Sequence, residues 1–151
     1  MLTYSDFLRR IYRGGRPNPI AKLANRVARR MADRRPGRLA TLEVPGRRSG
    51  RTIAFPVVVT DYDGGRYLVA MLGERTNWVR NVGASAGAAV LRGDPVRLEP
   101  VTAAERAPIL RRYVEIAPSG RVHIPVPPGA PLVAFDRVAP GYPVFRVLQR
   151  A

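Results

Sequence analysis

No cysteine occurs in the 151 residues of this chain, so neither a disulfide nor a thiolate metal site can form. Histidine is present once, at His123, which excludes a multi-histidine metal centre or a catalytic cluster built on several imidazoles. Lysine also occurs once, at Lys22, and arginine supplies the rest of the 26 basic residues. Acidic residues number only 11, leaving a formal charge of +15 that favours anionic partners: nucleic acid, anionic lipid or a polyanionic small molecule. Aromatic residues are few and scattered, without the basic–aromatic alternation of RNA-binding surfaces, so a nucleic-acid reading rests on charge alone. No run approaches the ~20 apolar residues of a membrane span. Residues Met1 to Tyr12 lack the apolar block of a secretory signal, which points to a cytoplasmic location. Dinucleotide-binding and P-loop glycine patterns are missing, as is a G-x-S-x-G nucleophile, and no two carboxylates are spaced for acid–base work.

What remains is one domain's length of chain with an ordinary apolar fraction of 46%, enough to bury a core. Its first part reads as helix. Ser5 can cap a short helix carrying the i,i+4 pairs Phe7/Ile11 and Leu8/Tyr12, stopped by Gly14-Gly15. Asn18 followed by Pro19 opens a second helix. Ile20, Leu23, Ala24, Val27 and Met31 fall on one stripe of it, with Lys22, Arg26, Arg29 and Arg30 opposite. This arm, residues 1–36, either packs its stripe on the core or lies loosely on an anionic membrane surface.

From residue 37 the period shifts to two. Ala40, Leu42 and Val44 alternate with Leu39, Thr41 and Glu43. Thr52 to Thr60 is a β-prone run that Pro56 marks as an edge or bulge. Asp63-Gly64-Gly65 signals a hairpin returning through Tyr67 to Leu72. Asn77 to Ser85 reads as a short helix, and Ala88 to Arg92 and Val96 to Val101 as a hairpin turned at Gly93-Asp94-Pro95. Thr102 and Glu105 form a capping box for a crossover helix whose Ile109/Tyr113 and Leu110/Val114 pairs face the core, although Pro108 should bend that helix or delay its start. A proline-rich loop over 117–131 and a last strand, Tyr142 to Leu148, complete the pattern. About six strands without βαβ alternation predict an α+β fold with a mainly antiparallel sheet or barrel over 37–151.

Between the first two strands lies Pro45-Gly46-Arg47-Arg48-Ser49-Gly50-Arg51. Its glycines let the backbone turn and approach a ligand, while guanidiniums and a hydroxyl suit phosphate or carboxylate oxygens. Together with Pro56, then Asp63-Gly64-Gly65-Arg66-Tyr67-Leu68-Val69-Ala70, then Asn77-Trp78-Val79-Arg80-Asn81-Val82, this block resembles the deazaflavin-dependent nitroreductase family, split β-barrel proteins many of which use coenzyme F420. The resemblance spans roughly Arg38 to Val101 and implies site residues. Arg47, Arg48, Ser49 and Gly50 would hold the cofactor's phosphate and acidic tail. Pro56 would fix the strand lining the pocket, and Ala70, Met71, Leu72 and Gly73 would run beside the deazaflavin ring and offer backbone amides. Trp78 and Asn81 would close the phosphate end. The implied function is hydride transfer from reduced F420 to an electron-poor acceptor (activated alkene, quinone or nitroaromatic), with FMN or haem as other cofactors. The implied assembly is a monomer or homodimer.

Three departures mark this chain. Ile53 stands where the family often has arginine, Met71-Leu72-Gly73-Glu74 replaces a Ser-Lys-Gly-Gly segment, and Ala117-Pro118-Ser119-Gly120-Arg121 replaces a tyrosine-rich stretch. They leave open a non-catalytic barrel that binds cofactor, haem or lipid. Two further candidates come from the residues themselves. His123 is a proton donor or a structural hydrogen-bonding group, and Tyr113 is a core residue or a phenol facing the pocket.

Overall fold

The computed structural model describes residues 38–150, and the helices expected over residues 1–36 lie outside them. Seven strands form one antiparallel sheet in the order β2-β1-β5-β6-β7-β4-β3. They are β1 (Leu39–Pro45), β2 (Thr52–Val58), β3 (Thr60–Tyr62), β4 (Gly65–Val69), β5 (Ala88–Leu91), β6 (Asp94–Pro100) and β7 (Val144–Gln149). The two outermost strands of that order, β2 and β3, are consecutive in sequence, separated only by Val59. The sheet is therefore obliged to roll until its edges meet, which brings β2 against β4. The result is an α+β split barrel: the antiparallel sheet is as the sequence period predicts, and the split barrel as the family resemblance implies. The run Thr52 to Thr60 is two strands rather than one because the chain bends at Val59 to pass from one edge to the other.

Alternation along the strands sorts the core into two clusters. Ala40, Leu42, Val44, Phe55, Leu68, Ala70, Trp78, Ala89, Leu91, Val96, Leu98 and Phe145 fill the barrel interior. Val69 and Val144, each next to an inward residue on its strand, point the other way and join Ile109, Leu110, Tyr113, Val114, Ile124 and Phe135. The helices are α1 (Asn77–Ala84), α2 (Ala107–Ile116), α3 (Pro118–His123) and α4 (Leu132–Val138). Of these, α2 and α4 supply the second layer, whereas α1 packs Trp78 and Val82 into the barrel interior.

Several local expectations are corrected. The returning strand β4 stops at Val69, not Leu72, because Val69 pairs with Val144 and the next residue outward on β7 is Pro143, which has no N–H to continue the ladder. The β5–β6 turn is the two residues Arg92 and Gly93, with φ of 50° and 81°, rather than Gly93 to Pro95. A two-residue left-handed turn matches the twist of its strands, and Pro95 is tolerated near the strand start. The capping box does not form. Thr102 to Glu105 makes a 3-10 turn without a side-chain cap, and α2 begins at Ala107 with Pro108 in its first turn. The ring of Pro108 would clash with a carbonyl if the helix ran in from residue 102. Residues 118–123 are helical rather than loop, Pro118 taking the first turn where its missing N–H costs nothing. The last strand starts at Val144.

Candidate functional site

The basic turn is a closed loop. Gly46 N donates to Arg51 O at 2.8 Å and Gly50 N donates to Gly46 O at 2.9 Å. Gly50 has φ of +71°, a conformation that L side chains adopt only with strain. Gly46 is closely packed, since a Cβ there would lie 2.9 Å from Ser49 Oγ and 3.3 Å from Arg51 O, so a larger residue would turn the serine hydroxyl aside. Arg51 N donates to Ser49 Oγ at 3.1 Å, which leaves the serine hydroxyl proton available to an acceptor outside the turn.

Helix α1 holds this turn in place. Asn81, 3% exposed, accepts at its Oδ1 from Arg47 N at 3.1 Å and from Arg47 Nη1 at 2.8 Å. Arg47 Nη2 donates to Asn77 Oδ1 at 3.4 Å. The two asparagines are four residues apart on α1, so they share the face that meets the turn. Arg47 thus acts as a bracket between turn and helix, while Arg48, Ser49 and Arg51 are exposed beyond it. Asn77 is a site residue that sequence reasoning missed; its i,i+4 spacing from Asn81 was the available signal.

The segment assigned to the ring leads directly into the same helix. Thr76 Oγ1 donates to Gly73 O at 2.7 Å, tying residues 70–73 to the start of α1. Ala70 is buried in the barrel interior, and Met71, the first residue of the turn that follows, packs against the outer layer. Two of the four expected amides are already engaged: Ala70 N donates to Pro143 O at 2.8 Å and Gly73 N to Ala70 O at 3.0 Å. Only those of Met71 and Leu72 remain to be considered for a ring. Pro56 is buried on edge strand β2, opposite Thr41. Trp78 faces the barrel interior, its ring centroid 5.9 Å from that of Phe55 and 5.4 Å from that of Phe145. It fixes α1 on the barrel and carries Asn77 and Asn81 with it.

Of the catalytic candidates, Tyr113 lies behind the segment 70–73. Tyr113 O–H donates to Met71 Sδ at 3.2 Å. His123 ends α3, and its carbonyl accepts from Tyr142 O–H at 2.6 Å. Burial pushes the Tyr142 phenol up from its ordinary value, and this tyrosine was not singled out by sequence. Arg106 completes the bracing, Nε donating to Val101 O and Nη1 to Ala139 O, each at 2.9 Å. Burial lowers its pKa and the carboxylate of Glu74 opposes that shift. Among the described residues no group of three or more His, Asp or Glu side chains could hold a metal ion. No helix among them is long and apolar enough to cross a membrane.

The sequence matches no protein-family model and no curated protein. Solved structures do match. A protein of unknown function from Agrobacterium tumefaciens superposes with a TM-score of 0.56 at 16% identity over 85% of this chain, which spans 55% of that protein's length. An F420-H2-dependent reductase matches at a TM-score of 0.48 and 17% identity, over 73% of this chain and 93% of its own. HutZ, a heme storage protein from Vibrio cholerae, matches at 0.48 and 9% identity, over 79% and 86%. The first of these supports the overall fold.

Proposed function

We propose that this chain binds coenzyme F420 and catalyses hydride transfer from the reduced deazaflavin to an electron-poor acceptor such as an activated alkene, a quinone or a nitroaromatic. The observation that carries the reading is the β1–β2 turn. Arg47 is bonded through backbone and side chain to buried Asn81, so the turn is held before any ligand arrives, with Arg48, Ser49 and Arg51 on its exposed side. Fixed guanidinium and hydroxyl donors suit a phosphodiester and carboxylates, and preorganisation lowers the entropic cost of binding them. The donor set therefore fits the anionic tail of F420. Reduced F420, when bound, supplies the hydride. The protein's part is to hold the tail at Arg48, Ser49 and Arg51 and to offer an apolar segment, Met71-Leu72, for the ring. The Trp78–Phe55–Phe145 cluster keeps water from the barrel beneath.

A second reading, a barrel that binds a cofactor, haem or lipid without catalysis, is favoured by Met71 and Leu72, since neither side chain donates a proton or carries a charge. Titration of the purified protein with oxidised F420, FMN and haemin, followed by cofactor fluorescence anisotropy or absorbance, separates the readings. Micromolar F420 binding, weakened about tenfold by Arg48→Ala and again by Arg51→Ala, is expected if each guanidinium makes one charge-assisted bond. Haemin or FMN binding without F420 binding overturns the reductase in favour of the binder.

A further inference from the structure

Met71, like Leu72, is partly buried at the segment proposed to meet the ring, and the outer layer holds it from behind. Its sulfur accepts from Tyr113 O–H at 3.2 Å, and Tyr113 itself is 3% exposed. The phenol cannot swing away. Gly120 of α3 lies so close that a Cβ there would overlap Tyr113 Cε1 and sit 2.9 Å from Cδ1 and 3.0 Å from Cζ. The loop beyond Met71 is confined too, since Gly73 has φ of +93° and its Cβ position is 3.4 Å from Gly141 O.

A methionine side chain has three rotatable bonds and ordinarily samples several rotamers at a partly open site. A thioether is a weak acceptor, but a donor locked in position by close packing still selects one rotamer. We infer that Tyr113 is a positioning residue that holds the Met71 thioether in one orientation, making it the apolar wall against which the cofactor ring lies. This rests on the F420 reading for the ring, whereas the Tyr113–Met71 contact is measurable without any cofactor. Sulfur makes favourable contact with a flat aromatic ring.

The test uses Tyr113→Phe, which removes the O–H and little else, in protein labelled with 13C-methyl methionine, with oxidised F420 as the ligand. The Met71 methyl resonance, assigned by its loss in Met71→Leu, is expected to be single in the wild type and to move toward the averaged position of exposed methionine in Tyr113→Phe. The Kd for F420 should rise about fivefold, the worth of one neutral hydrogen bond. Met71→Leu conserves volume and should reproduce the Kd effect, which keeps the inference testable if Tyr113→Phe folds poorly. An unmoved methyl resonance, or an unchanged Kd beside a moved one, overturns the inference. Absence of F420 binding in the wild type sinks the reductase reading by itself. A methyl shift seen in that circumstance would make Tyr113 a structural clamp only, which also overturns the inference.

Discussion

Two buried polar side chains of this barrel face opposite circumstances, and substitution should move stability in opposite directions. Asn81 is 3% exposed and its Oδ1 receives two donors from Arg47. Thr60 is fully buried at the bend from β2 to β3, and its Oγ1 has no hydrogen-bond partner. Removing one member of a partnered set strands the other, whereas replacing an unpartnered hydroxyl by a methyl of the same shape removes a desolvation penalty. Asn81→Ala is therefore expected to cost about 2 kcal/mol, and Thr60→Val to add about 1 kcal/mol, both read from urea unfolding midpoints at constant m-value. The turn should also loosen in Asn81→Ala, seen as faster amide exchange at Arg47. Sequence could nominate Asn81 through its block but not Thr60, whose hydroxyl is isolated only because the chain crosses between sheet edges at Val59.

At the scale of elements, short helices here depend on groups outside themselves. Helix α2 ends against Arg121, whose Nε donates to Val114 O at 2.8 Å and whose Nη2 donates to Glu115 O at 2.9 Å. These carbonyls belong to the last turn, where no intrahelical donor remains. Arg121→Ala should lower stability by about 1 kcal/mol, and Arg121→Lys should recover only part because an ammonium lacks the guanidinium fork. Amide exchange at residues 113–117 is the measurement, and protection unchanged in both variants would remove the capping role. The helix that Arg121 itself lies on was invisible to pattern reading. Six residues are too few to show a period, and the segment's prolines read as loop although Pro118 occupies a first turn. The same brevity hid α4. By contrast β6 and α1 were legible because each buries one face, as Val96 and Leu98 record for β6, and β1 was legible from the alternation of Ala40, Leu42 and Val44 although Thr41 on its other face is buried too. The basic turn was legible as chemistry. Its attachment to α1 was not, because a hydrogen bond across 34 residues leaves no local pattern.

For the whole molecule, closure and charge pull against each other. The α+β class and its antiparallel sheet were readable from strand count and the lack of βαβ alternation, and the split barrel from the family resemblance, but closure was not, since that follows from β2 and β3 being both chain neighbours and opposite sheet edges. Closing the sheet gathers more arginine than carboxylate into one body among the described residues, and like charges repel more when folded than when the chain is extended. The ion pairs among the described residues offset this weakly. Asp61 meets Arg38 at 3.2 Å and Arg112 at 3.4 Å, and Arg97 meets Glu99 at 3.3 Å, but the carboxylates are more than half exposed. Exposed pairs contribute about 0–1 kcal/mol each, and salt weakens them together with the repulsion. The two effects have opposite sign, and magnitude decides between them. A large excess of one charge interacts at all separations up to the Debye length, about 10 Å at 0.1 M salt, whereas each pair is a single contact. Screening should therefore stabilise this protein. Raising NaCl from 0.05 to 0.5 M is expected to lift the melting temperature by about 4 °C, or about 1 kcal/mol for a domain of this size. A fall over that range would mean that the Asp61 and Glu99 pairs outweigh the net charge. The same salt series on F420 affinity should run the other way, since added ions compete for Arg48 and Arg51 while leaving contacts to the ring in place. Opposite slopes from one titration would tie the arginine excess to binding rather than to folding.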